Sequence, residues 1–388
     1  MTAPLGMAPL SMAMVGGGPG SFIGPVHRMA AELDGLARLR AGVFSRDHAR
    51  SLAAAAGYGI DPDRAYPDVA TMLAAERARP DGINFVAIAT PNDTHLPIAA
   101  AALAAGIHVI SDKPATATLA EALELRGHVA ASDALYAVTY TYTGYPLIRE
   151  ARERVARGDF GRIRRVHVEY PQGWLAEPIE RGDNRQAGWR TDPAHTGDGG
   201  CISDIGVHAL NLAEYVTGDR VAHLLADLAA VVPGRLRDDD ATLLLRFAGG
   251  ARGLVAATQV AAGARNDLKL SIWGERGGLR WSHADSQHLH LCWPDRPDEV
   301  LSAGSPYLGA LATGATRLPA GHPEGFIEAF ANIYRDFARA IQSGTPVDRT
   351  PLCGIEDGVR GLLFVDAALR SSARGSAWEP VDGTGPQP

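Results

Sequence analysis

The stretch Ser11-Met12-Ala13-Met14-Val15-Gly16-Gly17-Gly18-Pro19-Gly20-Ser21-Phe22-Ile23-Gly24 decides how the first third of the chain is read. Residues 11–15 form a short apolar strand that runs into a glycine turn, and a helix is predicted over 24–33. A strand, a glycine turn and a helix in that order suit a dinucleotide. Glycine lets the backbone approach a pyrophosphate, which then rests on the helix N-terminus. Gly16 and Gly18 fit the first two positions of G-x-G-x-x-G, but the third glycine, Gly24, arrives three residues late. Such a turn is weak by itself and gains weight from standing after the first strand of an alternating pattern. The candidate contacts here are Gly16, Gly18, Pro19, Gly20, Ser21, Phe22 and Ile23.

Working outward, strands are predicted over 36–44, 83–89, 107–111 and 136–139, with helices over 48–56, 69–77, 96–105 and 119–131. That alternation means a parallel sheet with helices on both faces, a Rossmann domain over residues 1–142. Loops at the carboxyl ends of such strands line the cofactor crevice. The second strand ends in Ser45-Arg46, where an acid would bind the ribose 2′-hydroxyl of NAD. Ser and Arg can instead hold a 2′-phosphate, which leans towards NADP, with Asp47 as the alternative. After 83–89 come Thr90, Pro91, Asn92 and His95, all candidate cofactor contacts, with a capping or core role open for His95. After 107–111 comes Asp112-Lys113-Pro114. The chain holds 37 Lys and Arg residues, yet only Lys113 and Lys269 are lysines. An ammonium can lose its proton near neutrality when buried, whereas a guanidinium cannot, so Lys113 is a candidate for chemistry.

Beyond about residue 143 the pattern changes. A helix over 145–157 precedes apolar, often alternating stretches at 163–170, 221–232, 242–247, 253–259, 268–273, 279–281 and 288–293. They read as a largely antiparallel sheet with one solvated or subunit-facing side, in a second α/β domain over 143–388. Helices are predicted over 323–341, with Phe326, Phe330, Ile333, Phe337 and Ile341 at helical spacing, and over 356–371. Within this half, Gly199-Gly200-Cys201-Ile202-Ser203-Asp204-Ile205-Gly206-Val207-His208 runs into a helix over 209–217. Asp204 and His208 are four apart and share a helix face. An imidazole there can act as acid or base near neutral pH, and an adjacent carboxylate can orient it or a substrate hydroxyl.

Composition excludes other classes. With 46% hydrophobic and 21% charged residues the chain is expected to build a sizeable core. The net charge of −7 argues against nucleic acid or an anionic membrane as partner. No apolar run reaches the length of a membrane span. Cys201, Cys292 and Cys353 are far apart and form no CxxC, so a reduced cytoplasm is expected. No Lys or Arg precedes Arg28, which is unlike a signal peptide. Residues 1–10 and the tail from Gly375 read as loose.

Taken together, Gly24-x-x-His27, Thr90-Pro91-Asn92-x-x-His95, Ala105-Gly106-Ile107-His108-Val109-Ile110-Ser111-Asp112-Lys113-Pro114 and the Gly-Gly-x-x-x-Asp-x-Gly-x-His run at 199–208 resemble the Gfo/Idh/MocA family. The resemblance extends over nearly the whole chain. It implies a Rossmann domain that binds NAD(P), and a second α/β domain whose large, mostly antiparallel sheet commonly carries a homodimer or homotetramer interface. It implies oxidation of a secondary alcohol on a sugar, sugar derivative or cyclitol. The family lysine maps onto Lys113, and its acid and histidine onto Asp204 and His208. His208 is then the base, Lys113 holds the reacting oxygen or itself accepts the proton, and Asp204 orients the hydroxyl. Further substrate contacts would come from Tyr142, Tyr170, Trp174, Arg190 and His322, with Glu324 beside the last. His288 and His290 are too few for a metal site, so no metal is expected. Three departures stand out: Asp112 replaces the usual Glu, the glycine turn carries an insertion, and residues 138–143 lack the Asn and Arg often found there. Two rivals share these motifs. One is an enzyme that retains its cofactor and works redox-neutrally as an epimerase, a glycosidase through a keto intermediate, or a sugar–sugar oxidoreductase. The other is a dinucleotide-binding sensor.

Overall fold

A computed structural model describes residues 8–192 and 197–382. The chain divides into two compact units. The first comprises residues up to Gly144 together with Phe326–Val359, and the second comprises Tyr145–Gly325 with the residues from Arg360 on.

The first unit is built from β1 (Leu10–Gly16), α1 (Ile23–Glu32), β2 (Ala37–Val43), α2 (His48–Tyr58), α3 (Val69–Arg77), β3 (Phe85–Ala89), α4 (His95–Ala104), β4 (His108–Ser111), α5 (Leu119–Ala130) and β5 (Tyr136–Val138). The strands pair in the order β2-β1-β3-β4-β5, all parallel. The order reverses at β1, so the switch point lies between β1 and β3, where open α/β sheets bind ligands. Every residue of β3 is buried, as its unbroken apolar run requires. The predicted alternation therefore forms the expected Rossmann sheet.

The helix Phe326–Ser343 follows most of the second sheet in sequence, and the sequence reading placed it in the second domain. It belongs instead to the first unit. Phe330, Ile333, Tyr334 and Phe337 join one core with Met12, Met14, Val26 and Phe85. The Phe85 and Phe337 rings meet edge to face with centroids 5.6 Å apart. Each such buried ring contributes about 1.5–3 kcal/mol. An apolar helical stripe announces that a partner surface exists but carries no mark of which sheet provides it, which is why the 142/143 division misses this segment.

The second unit contains α6 (Pro146–Arg157), β6 (Ile163–Pro171), α7 (Arg185–Thr191), α8 (Val207–Thr217), β7 (Val221–Ala229), β8 (Asp240–Phe247), β9 (Arg252–Thr258), β10 (Lys269–Gly274), β11 (Gly278–Ser282), β12 (His288–Cys292), β13 (Glu299–Ser302) and β14 (Glu379–Pro380). Their order is β13-β12-β11-β10-β6-β9-β8-β7-β14, antiparallel except for the β6–β9 pair. Alternate residues such as Leu243, Leu245 and Phe247 of β8 are buried, while Thr242, Leu244 and Arg246 face outward. Strand β13 escaped the sequence reading because its apolar part is only Val300-Leu301.

This unit is stapled by Glu214 of α8. Its carboxylate accepts from Arg360 Nη2 at 2.8 Å, from Arg220 Nη1 at 2.7 Å and from the Val221 N–H at 2.8 Å. Of the segments read as loose, residues 1–7 and 383–388 lie outside the described residues, while Leu10 starts β1 and Glu379–Pro380 form β14. Among the described residues, no helix is long and apolar enough to cross a membrane.

Candidate active site

In the first unit the candidate cofactor groups gather at the carboxyl ends of β1 to β4. The inserted residues make a turn: Ser21 N–H donates to Gly18 O at 3.0 Å, and Ser21 Oγ accepts from Gly24 N–H at 3.2 Å. Pro19, Gly20 and Phe22 are exposed, and Ile23 opens α1. A Cβ on Gly24 would stand 2.3 Å from Gly17 Cα. Gly24 thus gives the close helix-to-turn contact expected of the third glycine, although it comes late in sequence. Tyr58, which the sequence did not single out, donates from its hydroxyl to Gly17 O at 2.7 Å and fastens the turn to α2. At the end of β2, Ser45 Oγ accepts from Asp47 N–H and Arg46 is exposed. The Asp47 carboxylate accepts from Arg50 N–H and caps α2.

His95 is reassigned by its surroundings. Offered by sequence as a cofactor contact, it is almost fully buried, with Nδ1 2.9 Å from Pro114 O and Nε2 2.9 Å from Thr90 O. Both ring nitrogens face main-chain carbonyls, so the ring ties the Thr90-Pro91-Asn92 loop to the Lys113-Pro114 loop. Asn92 is itself mostly buried at the start of its turn. Asp112 Oδ1 accepts from Lys113 N–H at 2.9 Å and from Thr139 Oγ1 at 3.0 Å. The shorter acid is thus held by its own loop and by the residue that follows β5. The Lys113–Pro114 peptide bond is cis, and the Lys113 side chain belongs to a half-buried residue. Beneath this floor His27 is fully buried, its Nδ1 2.6 Å from Tyr334 Oη. Burial lowers its pKa, opposed by the Asp112 charge. Tyr142 also lies in this unit, buried in the turn Thr141–Gly144.

In the second unit the Gly199–His208 run forms a wide turn, Ile202–Gly206, ahead of α8, with Val207 N–H donating five residues back to Ile202 O. Turns of this π type recur at functional sites. Asp204 Oδ2 accepts from Gln259 Nε2 at 2.8 Å and lies 3.7 Å from Arg190 Nε. His208 is buried, with the Tyr170 ring 6.3 Å from it, centroid to centroid. Tyr170 Oη and Gln172 Nε2 both donate to Asn266 Oδ1 at 2.6 Å, and Trp174 Nε1 donates to Gln172 Oε1 at 2.9 Å. The Arg190 guanidinium stacks over Trp189 at 4.2 Å and stands 5.8 Å from the Trp174 ring. Tyr170, Trp174, Arg190, Asp204 and His208 therefore belong to one polar and aromatic neighbourhood. Gln172, Gln259 and Asn266 join it without any sequence signal, since a lone amide at a strand end has no distinctive spacing.

Two candidates lie elsewhere. His322 is exposed, near Pro319 O at 3.2 Å. Glu324 is buried and accepts from the Arg317 and Leu318 N–H groups at 2.6 and 2.8 Å, closing its own loop. His288 Nδ1 is 2.7 Å from Asp285 Oδ1, and among the described residues no group of three or more His, Cys, Asp or Glu is placed to hold a metal.

Comparison with known proteins places the chain among oxidoreductases. Residues 10–142 match the oxidoreductase family with an NAD-binding Rossmann fold, and residues 148–280 match the GFO/IDH/MocA C-terminal domain. The chain is 34% identical over 380 residues to the uncharacterised oxidoreductase YfiI of Bacillus subtilis (strain 168), covering 95% of this chain and 96% of that one. It is 29% identical over 329 residues to the levoglucosan dehydrogenase of Pseudarthrobacter phenanthrenivorans, covering 77% and 80%. An inositol dehydrogenase homologue of Azotobacter vinelandii, solved with NAD+, superposes with a TM-score of 0.90 at 38% identity, covering 96% of this chain and 97% of that one. The same homologue has been solved with NADH and myo-inositol, with a TM-score of 0.89. Two matched domains along one chain, and a relative this similar over almost its full length, lead to one conclusion: the chain belongs to the Gfo/Idh/MocA family of oxidoreductases.

Proposed function

We propose that the protein interconverts a secondary alcohol and a ketone on a sugar, sugar derivative or cyclitol, with NAD(P) as redox partner. The observation that carries this reading is the Asp204 carboxylate, held by Gln259 and flanked by Arg190, four residues ahead of His208. The glycine turn fits the cofactor, because the approach of Gly17 to Gly24 keeps the head of α1 open to a pyrophosphate. When bound, NAD(P) supplies the hydride acceptor. His208 takes the hydroxyl proton at a ring nitrogen and returns it in the reverse direction. The Lys113 ammonium holds the reacting oxygen and stabilises negative charge on it. Asp204 accepts a hydrogen bond from a substrate hydroxyl and orients it towards His208. Tyr170, Trp174 and Arg190 hold the rest of a polyhydroxylated ring. The levoglucosan and inositol dehydrogenases among the relatives act on molecules of that class, as their names say.

The end of β2 favours NADP. Ser45 and Arg46 follow β2 and offer a hydroxyl and a guanidinium that suit a 2′-phosphate, and the nearby carboxylate, Asp47, caps α2. Three cysteines far apart in sequence, none in a CxxC, fit a reducing cytoplasm. The outward face of the nine-stranded sheet, with Leu244 and Trp273 exposed, fits a homodimer or homotetramer interface.

The test is the absorbance of reduced nicotinamide. Parent protein is given myo-inositol, levoglucosan, D-xylose and D-glucose with NAD and NADP separately, alongside Asp204→Asn and His208→Asn. Turnover by the parent that falls at least about a hundredfold in both variants supports the reading. A higher kcat/KM with NADP, reduced about tenfold by Arg46→Ala, supports the cofactor assignment. Absence of turnover together with dinucleotide released only on denaturation would favour the redox-neutral rival and overturn the dehydrogenase reading.

A further inference from the structure

The head of the wide turn is gripped by a residue with no place in the proposed chemistry. Asp238 lies just before β8. Its Oδ1 accepts from Gly200 N–H and its Oδ2 from Ile202 N–H, each at 2.7 Å. Between them, Cys201 N–H donates to the Asp238 main-chain O, also at 2.7 Å. Three consecutive N–H groups therefore end on one residue. The fit is close enough that a Cβ on Gly200 would stand 2.1 Å from Asp238 O.

The next residue continues the device. Asp239 O accepts from Gln259 N–H at 2.9 Å, and Gln259 Nε2 holds Asp204. The Asp239 carboxylate is itself fixed by the Val231 and Val232 N–H groups and by Arg235. Asp238-Asp239 thus reaches Asp204 by two routes, through the backbone of the turn and through Gln259. The turn carries an extra residue relative to an α-helix, so α-helical spacing alone does not set the position of its head against α8. The register of Asp204 against His208 depends on how that head is held. Hydrogen-bonded carboxylates of this kind are strong acceptors, and two N–H donors on one carboxylate leave little freedom of position.

We infer that Asp238 is a positioning residue for the reaction: by holding the N–H groups of residues 200–202 it sets where Asp204 and His208 stand, without contact to substrate or cofactor. The inference rests on the reading of Asp204 and His208 under Proposed function. Misplacement of a reacting group by about 1 Å costs up to about a hundredfold in rate. Asp238→Ala removes both side-chain acceptors. Asp238→Asn keeps the shape and one acceptor oxygen, and turns an NH2 towards the other N–H.

Two measurements on the full chain test this. The first uses the panel sugar that the parent oxidises fastest. Asp238→Ala is expected to lower kcat about 10–100-fold, Asp238→Asn less, with the dissociation constant for NADPH by fluorescence within twofold. The isotope effect from substrate deuterated at the reacting carbon should rise in both, because the chemical step slows. A merely structural loss would reduce the active fraction and leave the isotope effect unchanged. The second is NMR of ring-labelled histidine, with His208 assigned by His208→Asn. The His208 resonance should move in both Asp238 variants while those of His27 and His95, in the other unit, stay in place; it needs no substrate. If Asp238→Ala does not fold, Asp238→Asn carries both measurements. An unmoved His208 resonance, or a kcat within twofold and an unchanged isotope effect, overturns the inference. If instead Asp204→Asn and His208→Asn leave turnover intact, the reading of the site itself fails, a different outcome.

Discussion

In the five-stranded sheet, each group with chemical content stands at the carboxyl end of a strand, within a run of a few consecutive residues: the glycine turn after β1, Ser45-Arg46 after β2, Thr90-Pro91-Asn92 after β3, Asp112-Lys113 after β4. In the nine-stranded sheet, Asp204 depends on Gln259 from the end of β9 and Arg190 from α7, and its turn depends on Asp238 ahead of β8. Parallel strands all deliver their loops to one edge, so short motifs suffice there. An antiparallel sheet sends successive loops to opposite edges, so a site on one edge is assembled from segments far apart in sequence. The first arrangement is robust to changes elsewhere in the chain, and the second is exposed to them.

The largest effect sharpens this contrast. Lys113→Ala should lower kcat/KM by about a thousandfold, the scale of losing one preorganised electrostatic group. Cofactor binding by fluorescence should change only a few-fold, since the loops around Lys113 are fixed by His95 and Asp112 rather than by the lysine. Loss of cofactor binding to the same degree would break the contrast, because Lys113 would then be part of the scaffold. Next in size, Glu214→Ala should destabilise the second unit by about 3 kcal/mol, because the mostly buried Arg360 guanidinium loses its only carboxylate partner among the described residues while keeping the Val221 and Val381 carbonyls. Urea unfolding followed by hydrogen exchange should show the loss across α8 and β7 while β1 and β3 keep their protection.

The smallest effect concerns pH. His27 titrates near 6.5 when unfolded, and burial lowers its pKa in the folded chain. The unfolded state therefore binds more protons as pH falls through 6.5. The stability tied to neutral His27 is present above that value and is lost on acidification. The gap in unfolding free energy between the parent and His27→Leu should narrow below it by up to about 1.4 kcal/mol per pH unit. A gap independent of pH would show that His27 is not held neutral by its burial.

What the sequence showed follows the same division. The order of strands and helices in the first unit was legible because period and turn chemistry are local signals. The motifs that hold Lys113, Asp204 and His208 were equally visible, because each is dense in a few consecutive residues. Gln259, Asn266, Tyr58 and Asp238 were not, because each acts through hydrogen bonds to segments distant in sequence. His95 was visible as a motif residue, yet its task of joining two loops depends on Pro114 O, nineteen residues on. Glu324 was misplaced for a similar reason: a carboxylate before a helix looks available until its loop folds back onto it.

The helix Phe326–Ser343 sets a schedule for synthesis. The strands of the first unit are all made by Val138, but the surface that receives Phe330 and Phe337 stays bare until the ribosome has added ~190 more residues. At about 5–20 residues per second that is an interval of ~10–40 s. During it, an apolar floor containing Met12, Val26 and Phe85 faces the crowded interior of the cell. The nascent chain is then a natural client for a chaperone, and a fragment ending near residue 142 would remain one permanently.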